Sequence, residues 1–189
     1  KNDVTDVLYR EWLDNHMFEK GIAIFCGPVR HNERKKGIYL NGIDLDNESA
    51  IREFCNIKGI QYTLEELAER GDIIVEQHVD DKTRAHVYVW SKEPFNKKAA
   101  TPTNDTNIPR IEVKGKPEDG LMFVTPSVHK NGCRYQFIGK CLKAIREPVF
   151  HDDIVQHINE ILNKYNITYL NGETKRERAT TRLSIKNGE

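Results

Sequence analysis

The sequence predicts an α/β fold (α+β in layout), a mixed sheet whose strands carry acids and whose flanks are helical. Three observations predict it. Short runs with the alternation or length of strands recur at 22–25, 37–46, 73–77, 85–90, 110–113, 121–125 and 134–138. Amphipathic stretches with capping and glycine stop signals lie before, between and after them. At 189 residues, 38% hydrophobic, the chain is long enough to bury a core as one domain or two small lobes.

In chain order, Val7, Leu8 and Trp12 recur at helical intervals within 4–18, which predicts an opening helix ended by Gly21. Ile22-Ala23-Ile24-Phe25 has the length of a buried strand. Cys26-Gly27-Pro28 then turns the chain into a basic loop bearing Arg30, His31, Arg34, Lys35 and Lys36. From Gly37 to Asp46 the pattern is a strand, with Asp44 and Asp46 on one face and Ile43 and Leu45 on the other. A helix over Ser49 to Lys58 puts Ile51, Phe54 and Cys55 on one side, with Gly59 as its stop. Thr63 and Glu66 have capping-box spacing, so a second helix is expected to reach Arg70 and stop at Gly71.

The strands Ile73 to Gln77 and Ala85 to Trp90 read as a hairpin. Residues 91–107 are polar and aperiodic, with Pro94, Pro102 and the pair Lys97-Lys98, which marks a functional loop or a lobe boundary. Three more strands follow. Asp152 or Asp153 is then expected to cap a helix whose Ile154, Val155, Ile158, Ile161 and Leu162 form a core stripe. Residues 1–170 are expected to form the domain, and 171–189 a charged tail or linker. The first residue is Lys1, so a longer parent protein is expected.

Composition excludes more than it selects. Lys plus Arg equals Asp plus Glu at 29 each, so bulk charge does not choose for or against a polyanion, and any nucleic-acid groove must arise from local clustering. No apolar run approaches the ~18 residues of a membrane span. Cys26, Cys55, Cys133 and Cys141 lack Cys-x-x-Cys spacing, which speaks against a zinc site and for reduced thiols in an intracellular (cytoplasmic) protein.

The chemistry starts at Asp44 and Asp46. Two carboxylates about 7 Å apart on one strand face repel and resist desolvation, and a hard divalent cation relieves both problems. Solvated aspartates at a strand end, or a cap on the next helix, would read the same way. Further on, His86, Tyr88 and Trp90 share one face of their strand, and Arg110, Glu112 and Lys114 share one face of theirs. A lone histidine or a charged strand face is ordinarily structural or wet. If the sheet aligns all three strands, they hold the inventory for metal-assisted phosphoryl or nucleotidyl transfer.

The order of these pieces resembles the archaeo-eukaryotic primase superfamily, closest to the bifunctional primase-polymerase (Prim-Pol) domains. Asp44-x-Asp46 stands as the first motif, His86 in Arg84-Ala85-His86-Val87-Tyr88 as the second, and Glu112 in Ile111-Glu112-Val113-Lys114-Gly115 as the third. Val124-Thr125-Pro126-Ser127-Val128-His129, followed by Gly132-Cys133-Arg134-Tyr135, resembles a fourth. The chain departs from the pattern at Asp81-Lys82-Thr83-Arg84, where a glycine-rich approach is common, at Thr125 in place of a proline, and at Glu112 in place of an aspartate. The last change keeps a carboxylate.

The resemblance implies a primase-polymerase core with an RRM-like half. It also implies a template-dependent nucleotidyltransferase that makes or extends primers. In it Asp44, Asp46 and Glu112 hold two Mg²⁺ or Mn²⁺ ions, and His86, Lys114, Ser127, His129 and Arg84 surround the NTP or dNTP. Arg30, Lys35, Lys36, Lys97 and Lys98 are the candidates for holding single-stranded DNA template and primer. A helicase, or a helical or zinc-bearing accessory element, is an implied partner, and a nucleoid or plasmid the implied location. Two other readings compete: a non-catalytic replication-initiator module that binds nucleic acid, and a metal-dependent nuclease. A nuclease needs no triphosphate ligand, so His86 and the turn Pro126-Ser127-Val128-His129 count against it.

Overall fold

Alternation of apolar and polar residues builds one central sheet, with strand order β10-β6-β7-β3-β2 and β8 also paired to β3. The computed structural model describes residues 6–17, 21–29, 37–92, 95, 105–115, 120–129 and 132–166. Its elements are α1 (Asp6–Asp14), β1 (Ile22–Phe25), β2 (Gly27–Pro28), β3 (Tyr39–Leu45), α2 (Glu48–Cys55), β4 (Asn56–Ile57) and β5 (Ile60–Gln61). There follow α3 (Leu64–Arg70), β6 (Ile74–His78), β7 (Ala85–Ser91), β8 (Ile111–Lys114), β9 (Leu121–Val124), β10 (Tyr135–Ile138), α4 (Cys141–Arg146) and α5 (Asp152–Lys164). The strand ladders are antiparallel, and a single parallel bridge joins Trp90 to Phe150. The α/β class is as the sequence predicts, while the sheet expected to be mixed has antiparallel ladders among the described residues.

One face of the sheet is oily and helix-covered. Ile43 and Leu45 of β3, Val75 of β6, Val87 and Val89 of β7, and Ile111 and Val113 of β8 pack against Phe54 of α2, Leu64 and Leu67 of α3, and Ile154, Ile158, Ile161 and Leu162 of α5. Burying such side chains is worth roughly 1.5–3 kcal/mol each. The α5 stripe is therefore core, with Val155 at its margin.

The opposite face is covered over only part of its area. There the two-stranded ribbon β1–β9 and helix α4 lie across a second apolar cluster of Cys26, Ile74, Tyr88, Met122, Val124 and Ala144. Gly42 allows this approach, because a Cβ at that position would lie 2.0 Å from the Met122 Sδ. Beyond Gly42 the face is left to polar side chains.

Several local expectations need correction. Ile22–Phe25 is a strand, but it pairs with β9 outside the main sheet and leaves Phe25 68% exposed. The helix after β3 stops at Cys55, and Gly59 (φ +81°) turns the small β4–β5 hairpin instead of ending a helix. Asn47 is the cap that starts α2, accepting from the Ala50 N–H. His151 precedes α5 as its cap residue, and Asp152 and Asp153 lie in its first turn. Val7, expected on an apolar helix face, is exposed. Helix α4, six residues long, escapes sequence reading because it is too short to display a period. The Thr63–Glu66 capping box and the left-handed Gly71 that ends α3 are present as predicted. Most of 91–107 and all of 171–189 lie outside the described residues.

Candidate active site

Strand pairing sets the site. Asp44 is directly opposite Glu112 on β8 and, on its other side, directly opposite His86 on β7. His86 is in turn opposite Glu76 on β6. Directly paired residues project to the same face, so Glu112, Asp44, His86 and Glu76 form one row across four adjacent strands. The sequence-predicted acids and histidine are thereby brought together. Asp46, just past the end of β3, stands close enough to act on Asp44 and completes the three sequence-predicted carboxylates beside the row.

Each carboxylate is set against a cationic or titratable group. The Asp44 Oδ1 lies 3.7 Å from the His86 Nε2, the Asp46 Oδ1 3.8 Å from the Arg84 Nη1, and the Glu112 Oε2 3.5 Å from the Lys114 Nζ. Arg84 also reaches Asp81 at 3.5 Å. Among the described residues no group of three His, Cys, Asp or Glu side chains has its ligand atoms gathered at one point. The donor chemistry nonetheless suits a hard divalent ion, as three oxygen-bearing acids stand close enough to act on one another.

The most buried of the three acids bears the strain of this arrangement. Burial pushes the Asp44 carboxyl up to about 6, and neighbouring Asp46 and Glu112 push the same way against His86 and Lys114. Folding alone thus leaves Asp44 short of positive charge.

The remaining predicted residues divide. Arg84 and Lys114 stand beside the acids. His129 lies at the far edge of the row, its ring 5.3 Å from that of His78 and 6.3 Å from that of Tyr135. Tyr135 stacks on His86 with ring centroids 4.7 Å apart. Ser127 is committed elsewhere: its hydroxyl accepts from the Ile22 N–H and donates to the Ile22 carbonyl, both at 2.8 Å. That bond pair braces β1 against the turn after β9. Arg30, Lys35, Lys36, Lys97 and Lys98 lie outside the described residues.

Glu76 and His78 were not singled out from the sequence. Both are buried on the site face of β6. The Glu76 carboxylate accepts from the Tyr88 hydroxyl (3.0 Å) and from the Thr125 N–H, and lies 3.3 Å from the His86 Nδ1. His78 Nδ1 has no hydrogen-bond partner among the described residues, and its burial, with His129 and His86 nearby, lowers its pKa. The available signal was the alternation Ile74, Glu76, His78 opposite Val75, which put two polar groups on the face shared with His86.

Compared with protein-family models, residues 2–149 match the bifunctional DNA primase/polymerase, N-terminal domain (Prim-Pol). The chain belongs to the Prim-Pol family. Comparison with curated proteins and with solved structures found no match. The matched span of this Prim-Pol domain runs from before α1 into the segment between α4 and α5, and so includes every strand of the sheet and the whole row from Glu112 to Glu76. No helix among its described residues is long and apolar enough to cross a membrane.

Proposed function

We propose that the chain is the catalytic domain of a DNA primase-polymerase, adding nucleotides to a primer on a single-stranded DNA template. The observation that carries this reading is the pairing of Asp44 with Glu112 and with His86 on one half-open sheet face. Family membership supports it from a separate direction.

In this reading Asp44, Asp46 and Glu112 hold Mg²⁺ or Mn²⁺. Such ions, when bound, lower the pKa of the primer 3′-hydroxyl and neutralise charge on the β- and γ-phosphates. The chain's own residues bind and orient. His86 directs its Nε2 toward the acids, where a triphosphate oxygen beside them comes within hydrogen-bond reach. Arg84 and Lys114 already stand against carboxylates at 3.8 and 3.5 Å, so phosphate oxygens placed on that face would meet the same cations. His129 stands at the far edge of the same row. Ser127 is left out of the nucleotide set, since its hydroxyl braces Ile22. Arg30, Lys35, Lys36, Lys97 and Lys98 are proposed to hold the template backbone, where affinity is salt-dependent. A helicase or accessory element is the proposed partner in the cell.

The test is an extension assay with Mn²⁺ or Mg²⁺, single-stranded template and labelled nucleotides, with and without primer. Templated extension supports a polymerase, and short products made without primer add priming. Template degradation would replace the proposal with a nuclease. A salt-sensitive mobility shift without synthesis would replace it with a binding module.

A further inference from the structure

We infer that Glu76 is a positioning residue for the active-site face, holding His86 in the orientation that turns Nε2 toward the acids. The inference rests on the reading of His86 as a nucleotide ligand, but its geometry stands independently. Glu76 is fully buried on β6, directly opposite His86, with one carboxylate oxygen 3.3 Å from the His86 Nδ1. A buried carboxylate ordinarily needs several donors, and here three groups from two segments, β7 and the turn after β9, surround it. Tyr88 of β7 donates its hydroxyl to the same oxygen, Oε2, at 3.0 Å. The Thr125 N–H, at the head of the turn that carries Ser127 and His129, donates to the other, Oε1.

Two consequences follow from that convergence. An acceptor against Nδ1 makes that nitrogen an N–H donor, and a ring that also donates from Nε2, the nitrogen facing Asp44 at 3.7 Å, to a phosphate oxygen carries a proton on both nitrogens. Tyr135, stacked on the His86 ring at 4.7 Å, closes the other side and prevents the ring from swinging off this bond. The same carboxylate also ties the turn after β9 to the sheet, so the His86 strand and the His129 turn are held to one anchor. Orientation by an outer partner of this type is a recurring device around reactive histidines.

The decisive reading is the nitrogen spectrum of the His86 ring in the whole chain, recognised by its loss in His86→Ala. The wild-type protein should carry a proton on Nδ1. A ring protonated at Nε2 alone would overturn the inference, and this outcome needs no variant. In folded Glu76→Gln the ring resonances should move. The Michaelis constant for nucleotide should rise on the order of tenfold, with kcat changing less. A folded Glu76→Gln with wild-type ring resonances and an unchanged Michaelis constant would also overturn it. If His86→Ala leaves nucleotide dependence untouched while the Nδ1 proton is present in wild type, His86 is no nucleotide ligand, and the positioning of its ring by Glu76 still stands.

Discussion

Asp44 and Glu112 face each other directly across β3 and β8, and no third strand separates their carboxylates. Like charges directly opposed on a sheet destabilise it. The chain carries that cost on a half-open face, with Lys114 drawn to Glu112 and His86 to Asp44. A row built for stability alone would have put an opposite charge or an apolar residue at one of the two positions.

If the two acids act together on divalent ions, either one is indispensable for synthesis and dispensable for folding. Asp44→Ala and Glu112→Gln should each lower primer extension by at least about a thousandfold, the scale of several kcal/mol of lost charge stabilisation. Circular dichroism melts should remain cooperative. Extension within tenfold of wild type in either variant would remove that residue from the chemistry.

The Asp44 carboxyl gives a pH prediction whose sign can be worked out. Its pKa rises from 3.8 in an unfolded chain to about 6 in the fold, chiefly through burial. Between those values the folded state binds the extra proton. This group's contribution to stability is therefore greatest below about pH 4 and is lost as the pH rises through 6. Without divalent ions, Asp44→Asn should stabilise the domain at pH 7.5 by roughly 1–2 kcal/mol. The difference between variant and wild type should vanish near pH 4. Denaturant melts at the two pH values check it, and a destabilised Asp44→Asn at pH 7.5 would contradict the argument.

Gly42 lets the ribbon close onto the sheet by the absence of a side chain. A Cβ there would lie 2.0 Å from the Met122 Sδ and 2.8 Å from the Cys26 Sγ. Gly42→Ala should cost about 2–3 kcal/mol in urea unfolding, as overpacking of a filled core does. A companion Met122→Ala should recover part of that loss by vacating the space. An unchanged midpoint for Gly42→Ala would mean that the ribbon is not seated on the sheet.

Ser127 separates bracing from binding. Removing its hydroxyl in Ser127→Ala leaves the Ile22 N–H and carbonyl without that partner, so stability should fall by roughly 1–2 kcal/mol. The Michaelis constant for nucleotide should stay within twofold of wild type. A large rise in that constant with normal stability would return Ser127 to the nucleotide pocket.

What the sequence disclosed follows from period-two alternation. Asp44, His86 and Glu112 could be placed on polar strand faces because Ile43, Val87 and Ile111 define the opposite ones. Apart from the hairpin of 73–77 with 85–90, which strands would be neighbours could not be read from alternation, which carries no pairing information. Glu76 stayed hidden for a related reason. A glutamate on a strand reads as a wet position until its neighbours are known, and its burial depends on Tyr88 and on Thr125, 49 residues away. Ser127 was legible as a motif member but not as a brace, because its partner Ile22 is 105 residues distant. The short run at Ile22–Phe25 gave its conformation but not its partner, so its place in an outlying ribbon was not foreseeable.

The central claim is that carboxylates from β3 and β8 share divalent ions beside a nucleotide. Titration of Mn²⁺ followed by electron paramagnetic resonance, with a non-hydrolysable nucleoside triphosphate present, tests it most directly. Wild-type protein should bind Mn²⁺ with an affinity that rises as the pH passes 6, and Asp44→Asn with Glu112→Gln should lose it. Equal Mn²⁺ binding by that folded double variant would contradict the account.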